Sequence, residues 1–403
     1  MMTKIHAFTA LIFSVLLSIS GCTSQESSDP VAPPVNSPQT LTVTTGSGGG
    51  TYTGGDTVNI WANPYPAGQV FDKWTGDVAA LTDIYAWHTA LTMPASSVNL
   101  TATYKSAPAW TAQYEVINGS NVYSYFPAFH KGVITLYHGS GGNARSWMKG
   151  TDGETPNVES QNFCWDAVAA GYAVIATEST DRIADPNANK QWDNAFNNPA
   201  NPDVLLIKAL IDTFKARGKV AASEPVYSVG MSNGGGFSCG VASVLSFKAA
   251  GIFCVPGLAQ IVSQTTVPMI WCLAQNDVNE DPTRNTEAAT NRNTLANRGI
   301  GTALYINPPS PVYPYRLWRI AGIDSAGSRL IYNALKSNGY LDGKDYLTIN
   351  PKTTTTWTAV IPAPYNANFY LGDIGDQLAA CYAEHKFYSD FGNKVIKFFD
   401  AHF

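Results

Sequence analysis

Apolar and polar positions change their rhythm three times along this chain. Near the start, Lys4 and His6 precede the apolar run Ala10-Leu11-Ile12-Phe13-Ser14-Val15-Leu16-Leu17. That run is too short to span a bilayer comfortably and reads as an export signal. Residues 23–40 are rich in Ser, Pro, Gln and Asp, cannot bury apolar surface, and read as a flexible tether. From residue 41 to about 105 the alternation has period two, as in residues 41–44, 57–62 and 98–104, with Gly and Pro in the breaks. This predicts a small all-β module. From about residue 110 the pattern changes to short continuous apolar runs at 132–137, 172–177, 226–229, 251–255 and 267–273. Such runs suit strands buried on both faces. Between and after them lie helical stretches: apolar residues recur at helical spacing over 201–217 and 387–403, 233–247 is rich in small residues, and a further helix is expected at 324–335. Alternating strand and helix predicts a doubly wound α/β layer structure with a mostly parallel sheet.

The chain has 403 residues, enough for more than one domain, and 45% of them are apolar. The net charge is -5, and no Lys/Arg-rich run offers an electrostatic footprint for nucleic acid. The signal run ends in Ile19-Ser20-Gly21-Cys22, which resembles the lipobox of bacterial lipoproteins. That resemblance implies a chain acylated at Cys22 and anchored by lipid in the bacterial cell envelope, at the outer membrane or cell surface, with plain secretion as the other outcome. Five cysteines remain: Cys164, Cys239, Cys254, Cys272 and Cys381. The odd count leaves at least one thiol free or paired outside the chain. There is no Cys-x-x-Cys or His-x-x-x-His, so no metal site is expected, and these cysteines read as small buried hydrophobes.

The chemistry-bearing residues cluster in three places. Gly230-Met231-Ser232-Asn233-Gly234 follows the run 226–229 and opens a helix, a context that exposes the serine hydroxyl on a strained turn. His138-Gly139-Ser140-Gly141-Gly142 follows the run 132–137 directly, and its glycines let backbone approach a ligand closely. A serine nucleophile needs a base and an acid to orient that base. Of six histidines, His6 lies in the signal, His88 in the β module, His130 ahead of the run 132–137, and His402 near the chain end. His138 reads as a loop-stabilising residue, which leaves His385. The strand 267–273 leads to Asp277, the nearest carboxylate to its end, with Asp281 as runner-up.

Residues 230–235, the 138–142 loop and the closing His385-Lys386-Phe387-Tyr388-Ser389-Asp390 resemble the polyhydroxybutyrate depolymerase and feruloyl esterase branch of the α/β-hydrolases. The likeness spans roughly residues 115–403. It implies a serine ester hydrolase without metal or organic cofactor. Its triad falls on Ser232, Asp277 and His385, and its oxyanion donors are the backbone N–H groups of Ser140 and Asn233. Residues 41–105, with Gly49–Asp56, Phe71–Asp77 and Thr92-Met93-Pro94, resemble the divergent B-type repeat of internalin-like surface proteins, which implies a spacer or weak adhesion module. Trp61, Trp74 and Trp87 are read as that module's core, with stacking on a sugar as the alternative. An insert at about 308–379 precedes His385 and predicts a lid or pocket wall, with Trp318 and Trp357 as substrate contacts. Trp192, in the loop after strand 172–177, is expected to line the pocket. The implied substrate is an ester, polymeric or plant-derived; a peptidase of the same fold and an inactive surface adhesion protein are the competing readings.

Overall fold

The computed structural model describes residues 37–403 except Pro108, Ala188, Asn189, Asn279 and Glu280. The export signal, most of the tether and Cys22 therefore lie outside the described residues. The period-two segments form seven strands: β1 (Gln39–Thr44), β2 (Gly46–Ser47), β3 (Gly50–Tyr52), β4 (Thr57–Ala62), β5 (Gln69–Gly76), β6 (His88–Thr92) and β7 (Val98–Ser106). They pair as two small sheets, β3-β1-β7-β5 and β2-β4-β6, around Leu41, Ile60, Trp74, Leu91 and Leu100. Trp74 is part of this core and Trp87 packs against it, whereas Trp61 turns towards the rest of the chain.

The continuous apolar runs form one eight-stranded sheet. Its strands are β8 (Gln113–Ile117), β9 (Ser120–Tyr125), β10 (Val133–Tyr137), β11 (Ala173–Thr177), β12 (Val226–Met231), β13 (Ala249–Phe253), β14 (Met269–Ala274) and β15 (Thr302–Asn307). Their spatial order is β8-β9-β11-β10-β12-β13-β14-β15. The pairs β8/β9 and β9/β11 are antiparallel, and every other pair is parallel. The helices are α1 (Val158–Ala169), α2 (Thr180–Ala184), α3 (Pro202–Ala216), α4 (Asn233–Val244), α5 (Ala259–Val262), α6 (Arg284–Asn297), α7 (Ser325–Ser337), α8 (Asn368–Tyr382) and α9 (Gly392–Asp400). Alternate strand residues face opposite layers. Ile134, Val229 and Cys272 pack with Phe163 of α1 and with Val395 and Phe399 of α9. Tyr137, Ile252 and Trp271 pack with Ile207 of α3, Phe237 of α4 and Leu295 of α6. The sheet is thus covered on both faces, as its unbroken apolar strands require. All five described cysteines are buried free thiols.

The insert carries its own core of Leu317, Ile331, Leu335, Ile374 and Leu378. Trp357 belongs to that core, and its indole Nε1 donates to the Pro351 carbonyl at 3.1 Å. The expected substrate contact at Trp357 is therefore corrected. The last helix of the insert, α8, runs to Tyr382 and feeds His385 directly. The expected spacer role of the β module also meets a different arrangement. Trp61 is stacked between His88 and Tyr313 of the insert, at 4.9 and 5.1 Å, with both pairs 8° from parallel. The Tyr313 hydroxyl donates to Asn63 at 2.7 Å, and Lys394 of α9 pairs with Asp83 at 2.8 Å. The module is docked against the catalytic layers.

Candidate active site

Strand β12 ends at Met231, and the chain enters α4 through the single residue Ser232. Ser232 has φ 58° and ψ -125°, a region that side chains rarely occupy. Two glycines make the turn possible. A Cβ at Gly230 would overlap the Gly234 carbonyl, and a Cβ at Gly234 would overlap the carbonyls of Tyr137 and His138. The turn is closed by Ser232 N–H donating to Phe253 O at 2.9 Å, and by Gly235 and Gly236 N–H donating to Ser232 O at 2.8 and 3.1 Å. The N–H of Asn233 stands at the first position of α4, where no intrahelical acceptor exists and the helix dipole is positive.

Ser232 and His385 both line a cleft of about 510 Å³ with His138, Gly139, Ser140 and Trp147. The His385 Nδ1 lies 2.7 Å from Asp277 Oδ2. Asp281, the runner-up acid, instead accepts from Thr283 N–H at 3.0 Å ahead of α6. The loops that bear Asp277 and His385 are fastened together next door: Asn276 N–H donates to Ala383 O at 2.9 Å, and its side chain donates to Tyr382 O at 2.7 Å. Ala383 ends α8 in the left-handed conformation, φ 59°, which turns the chain towards His385.

One neighbour of this pair was not foreseen from the sequence. Arg284, buried in the first turn of α6, bonds Asp277 Oδ1 and sits 2.8 Å from His385 Nδ1. Its guanidinium neutralises the buried carboxylate and fixes its second oxygen. Cys254 completes a cluster in which ligand atoms of Cys254, Asp277 and His385 lie within 4.8 Å of one another. Burial holds the Cys254 thiol well above its usual pKa, so it stays protonated. With no thiolate, and with a guanidinium already on the carboxylate, this donor set suits a hydrogen-bonded chain better than a cation.

His138 is buried and supports its loop. Its Nδ1 is 2.8 Å from Gly139 O, and Nε2 accepts from Ser179 N–H at 3.4 Å. Burial, helped by Arg182, pushes it down to about 4, with the Gly139 contact opposing. Trp192 departs from expectation. Its ring is 2% exposed, stacks on Phe237 at 4.6 Å and donates through Nε1 to His138 O at 3.0 Å. Its backbone N–H donates to Asn233 Oδ1 at 2.6 Å. Trp192 therefore buttresses the 138–142 loop and the start of α4 from below and does not line the cleft. Trp318 is also displaced: it lines a separate cavity at the module seam and meets Tyr65 edge-on at 4.4 Å. The insert reaches the cleft through Lys352, Asp373, Asp376 and Gln377. A direction along a loop is not encoded in periodicity, which is why both tryptophans were misplaced.

The sheet order, the antiparallel second strand and the serine turn define the class: residues 112–403 have an α/β-hydrolase fold. Ahead of it, residues 39–108 match the divergent InlB B-repeat domain family. No curated protein matches the chain. Solved structures similar to it include a thermostable esterase, 14% identical with a TM-score of 0.37, covering 68% of this chain and 91% of that one. A dienelactone hydrolase from Anabaena variabilis is 14% identical with a TM-score of 0.34, covering 50% and 88%. Est1E from Butyrivibrio proteoclasticus is 12% identical with a TM-score of 0.34, covering 50% and 90%.

Proposed function

We propose that this protein is a serine carboxylic-ester hydrolase, exported and held at the cell envelope through Cys22, that acts on a polymeric or plant-derived ester. The observation that carries the reading is the 2.7 Å contact between Asp277 and His385 beside a cleft that also holds Ser232 on its strained turn. In this reading Ser232 Oγ attacks the ester carbonyl carbon while His385 Nε2 takes the hydroxyl proton. Asp277 holds the Nδ1–H and stabilises the imidazolium that forms. The N–H groups of Ser140 and Asn233 donate to the carbonyl oxygen as it becomes an oxyanion. Collapse expels the alcohol, which takes the proton from His385 and leaves an acyl-Ser232. Water, deprotonated by His385, then releases the acid and restores the serine.

Polar groups of the insert, among them Asp373 and Gln377, border the cleft and favour a substrate with polar substituents around the ester over a bare aliphatic chain. Burial and the neighbouring Asp376 push the Asp373 carboxyl up to about 6. Hydrolysis of an ester panel tests the proposal: acetylated and feruloylated polysaccharide fragments, aliphatic and aromatic polyesters, and a p-nitrophenyl ester. Turnover of at least one ester, lost in Ser232→Ala, is expected. Full activity retained by Ser232→Ala would overturn the proposal.

A further inference from the structure

The seam between the β module and the catalytic layers is not closed along its whole length. Beside the Trp61–Tyr313 stack it opens into a second cavity of about 270 Å³, at the small end of the range for ligand sites. Tyr65 and Trp87 form the module wall. Trp165 and Asp166 of α1 form the opposite wall, and Trp318 of the insert closes one end. None of these residues lines the Ser232 cleft.

The cavity is aromatic, yet three buried polar atoms of its lining residues are left without hydrogen-bond partners. The indole Nε1–H groups of Trp87 and Trp318 are both buried and donate to nothing among the described residues. Asp390 Oδ2, also buried, has no donor within hydrogen-bond distance; this carboxyl is approached by the Tyr388 hydroxyl and by His88 Nδ1 at 3.8 Å, and burial keeps that histidine neutral. Asp166 has no ion pair among the described residues, and burial pushes its carboxyl up to about 7. No other ring among the described residues stacks on Trp165, unlike the paired tryptophans of the core. Buried donors and acceptors are normally satisfied, so this set calls for an occupant.

The occupant has to accept from two indole N–H groups and also meet two carboxyls. A quaternary ammonium accepts nothing. The two cations of the lining are already paired, Lys105 with Asp72 at 3.4 Å and Arg319 with Glu159 at 2.9 Å, so a carboxylate or phosphate finds no free cation there and faces the carboxyls of Asp166 and Asp390. A hydrocarbon satisfies neither requirement. A ring bearing hydroxyls both donates and accepts, and its C–H face packs on an indole. We propose that this cavity is a carbohydrate subsite that takes one neutral pyranose unit, stacked on Trp165 and hydrogen-bonded by Trp87, Trp318 and Asp166. Helix α1 gives Val158, Glu159 and Ser160 to the Ser232 cleft and Asn162, Trp165 and Asp166 to this one. The centres of the two groups are about 8 Å apart along the helix axis. A polysaccharide held at the seam can therefore bring an ester on a neighbouring sugar towards Ser232. The binding claim itself does not rest on ester hydrolysis.

Isothermal titration of the full chain carrying Ser232→Ala with xylohexaose, cellohexaose, mannohexaose and chitohexaose tests it. At least one should bind, and Trp165→Ala should weaken it by about tenfold or more. Trp318→Phe, which keeps the ring and deletes the N–H, should also weaken it, and circular dichroism confirms that both variants fold. In the unsubstituted protein, saturating oligosaccharide should not compete with a small p-nitrophenyl ester. No binding by any of the four, binding indifferent to both substitutions, or competition with the small ester would each overturn the proposal. The titration reads this cavity whether or not the Ser232 cleft hydrolyses anything.

Discussion

Ser232 carries a φ of 58° that only a tightly determined surrounding can hold. The determinants are local: glycines at 230 and 234, and the carbonyls of Tyr137 and His138 against which Gly234 packs. That is why the serine turn was legible in the sequence. Asp277 was found by its nearness to a strand end, a weaker signal, and its partner Arg284 left no signal at all, because an arginine in a first helical turn is usually solvated. The proposed role of Asp277 is to orient the imidazole. Asp277→Asn keeps the shape but offers an amide in place of the carboxylate, so kcat for a p-nitrophenyl ester should fall by about 10³–10⁴-fold with little change in KM. A loss carried mainly by KM would assign Asp277 to substrate binding instead.

Among the elements, α1 is the hub that the sequence did not reveal. Its Glu159 is buried and gathers Arg319 at 2.9 Å, Gln377 at 2.9 Å and the Ser389 hydroxyl at 2.5 Å, with Arg316 at 3.3 Å. Burial alone would raise this carboxyl, but Arg319, Arg316 and the hydrogen bonds outweigh it and hold it well below the usual carboxylate range. One side chain thus ties the insert to the segment that follows His385. Periodicity predicted the helices at 201–217 and 387–403, because each has a buried stripe. It could not predict which helix would carry a buried charge, since that depends on arginines more than 150 residues away. Glu159→Ala leaves two guanidinium groups buried without their carboxylate. It should cost about 3–5 kcal/mol of unfolding free energy by denaturant titration. A cost below about 1 kcal/mol would show that the network is relaxed or solvated.

For the whole molecule, the docked module is the main departure from the spacer expected of the B-repeat resemblance. Sequence pattern finds a module's core but not the partner of its outer rings, and Trp61 and His88 both turn towards the catalytic layers. Burial, with Arg316 and Arg319 nearby, pushes His88 down to about 3, and Tyr388 and Asp390 are its other neighbours across the seam. The unfolded chain binds this proton below about pH 6.5, while the folded protein refuses it until about pH 3. Its contribution to stability is therefore complete above pH 6.5 and is lost as the pH falls towards 3. His88→Asn should melt at a lower temperature than the parent at pH 7.5, and that difference should narrow as the pH is lowered to 5. A constant difference across this window would contradict the neutral, buried His88.

The central claim is that one serine in the folded protein is activated. Reaction of the full chain with a fluorophosphonate probe, read by intact mass and peptide mapping, tests it most directly. A single adduct on Ser232, absent from Ser232→Ala and from heat-unfolded protein, is the expected result. An unlabelled folded protein, or an adduct that persists in Ser232→Ala, would contradict it.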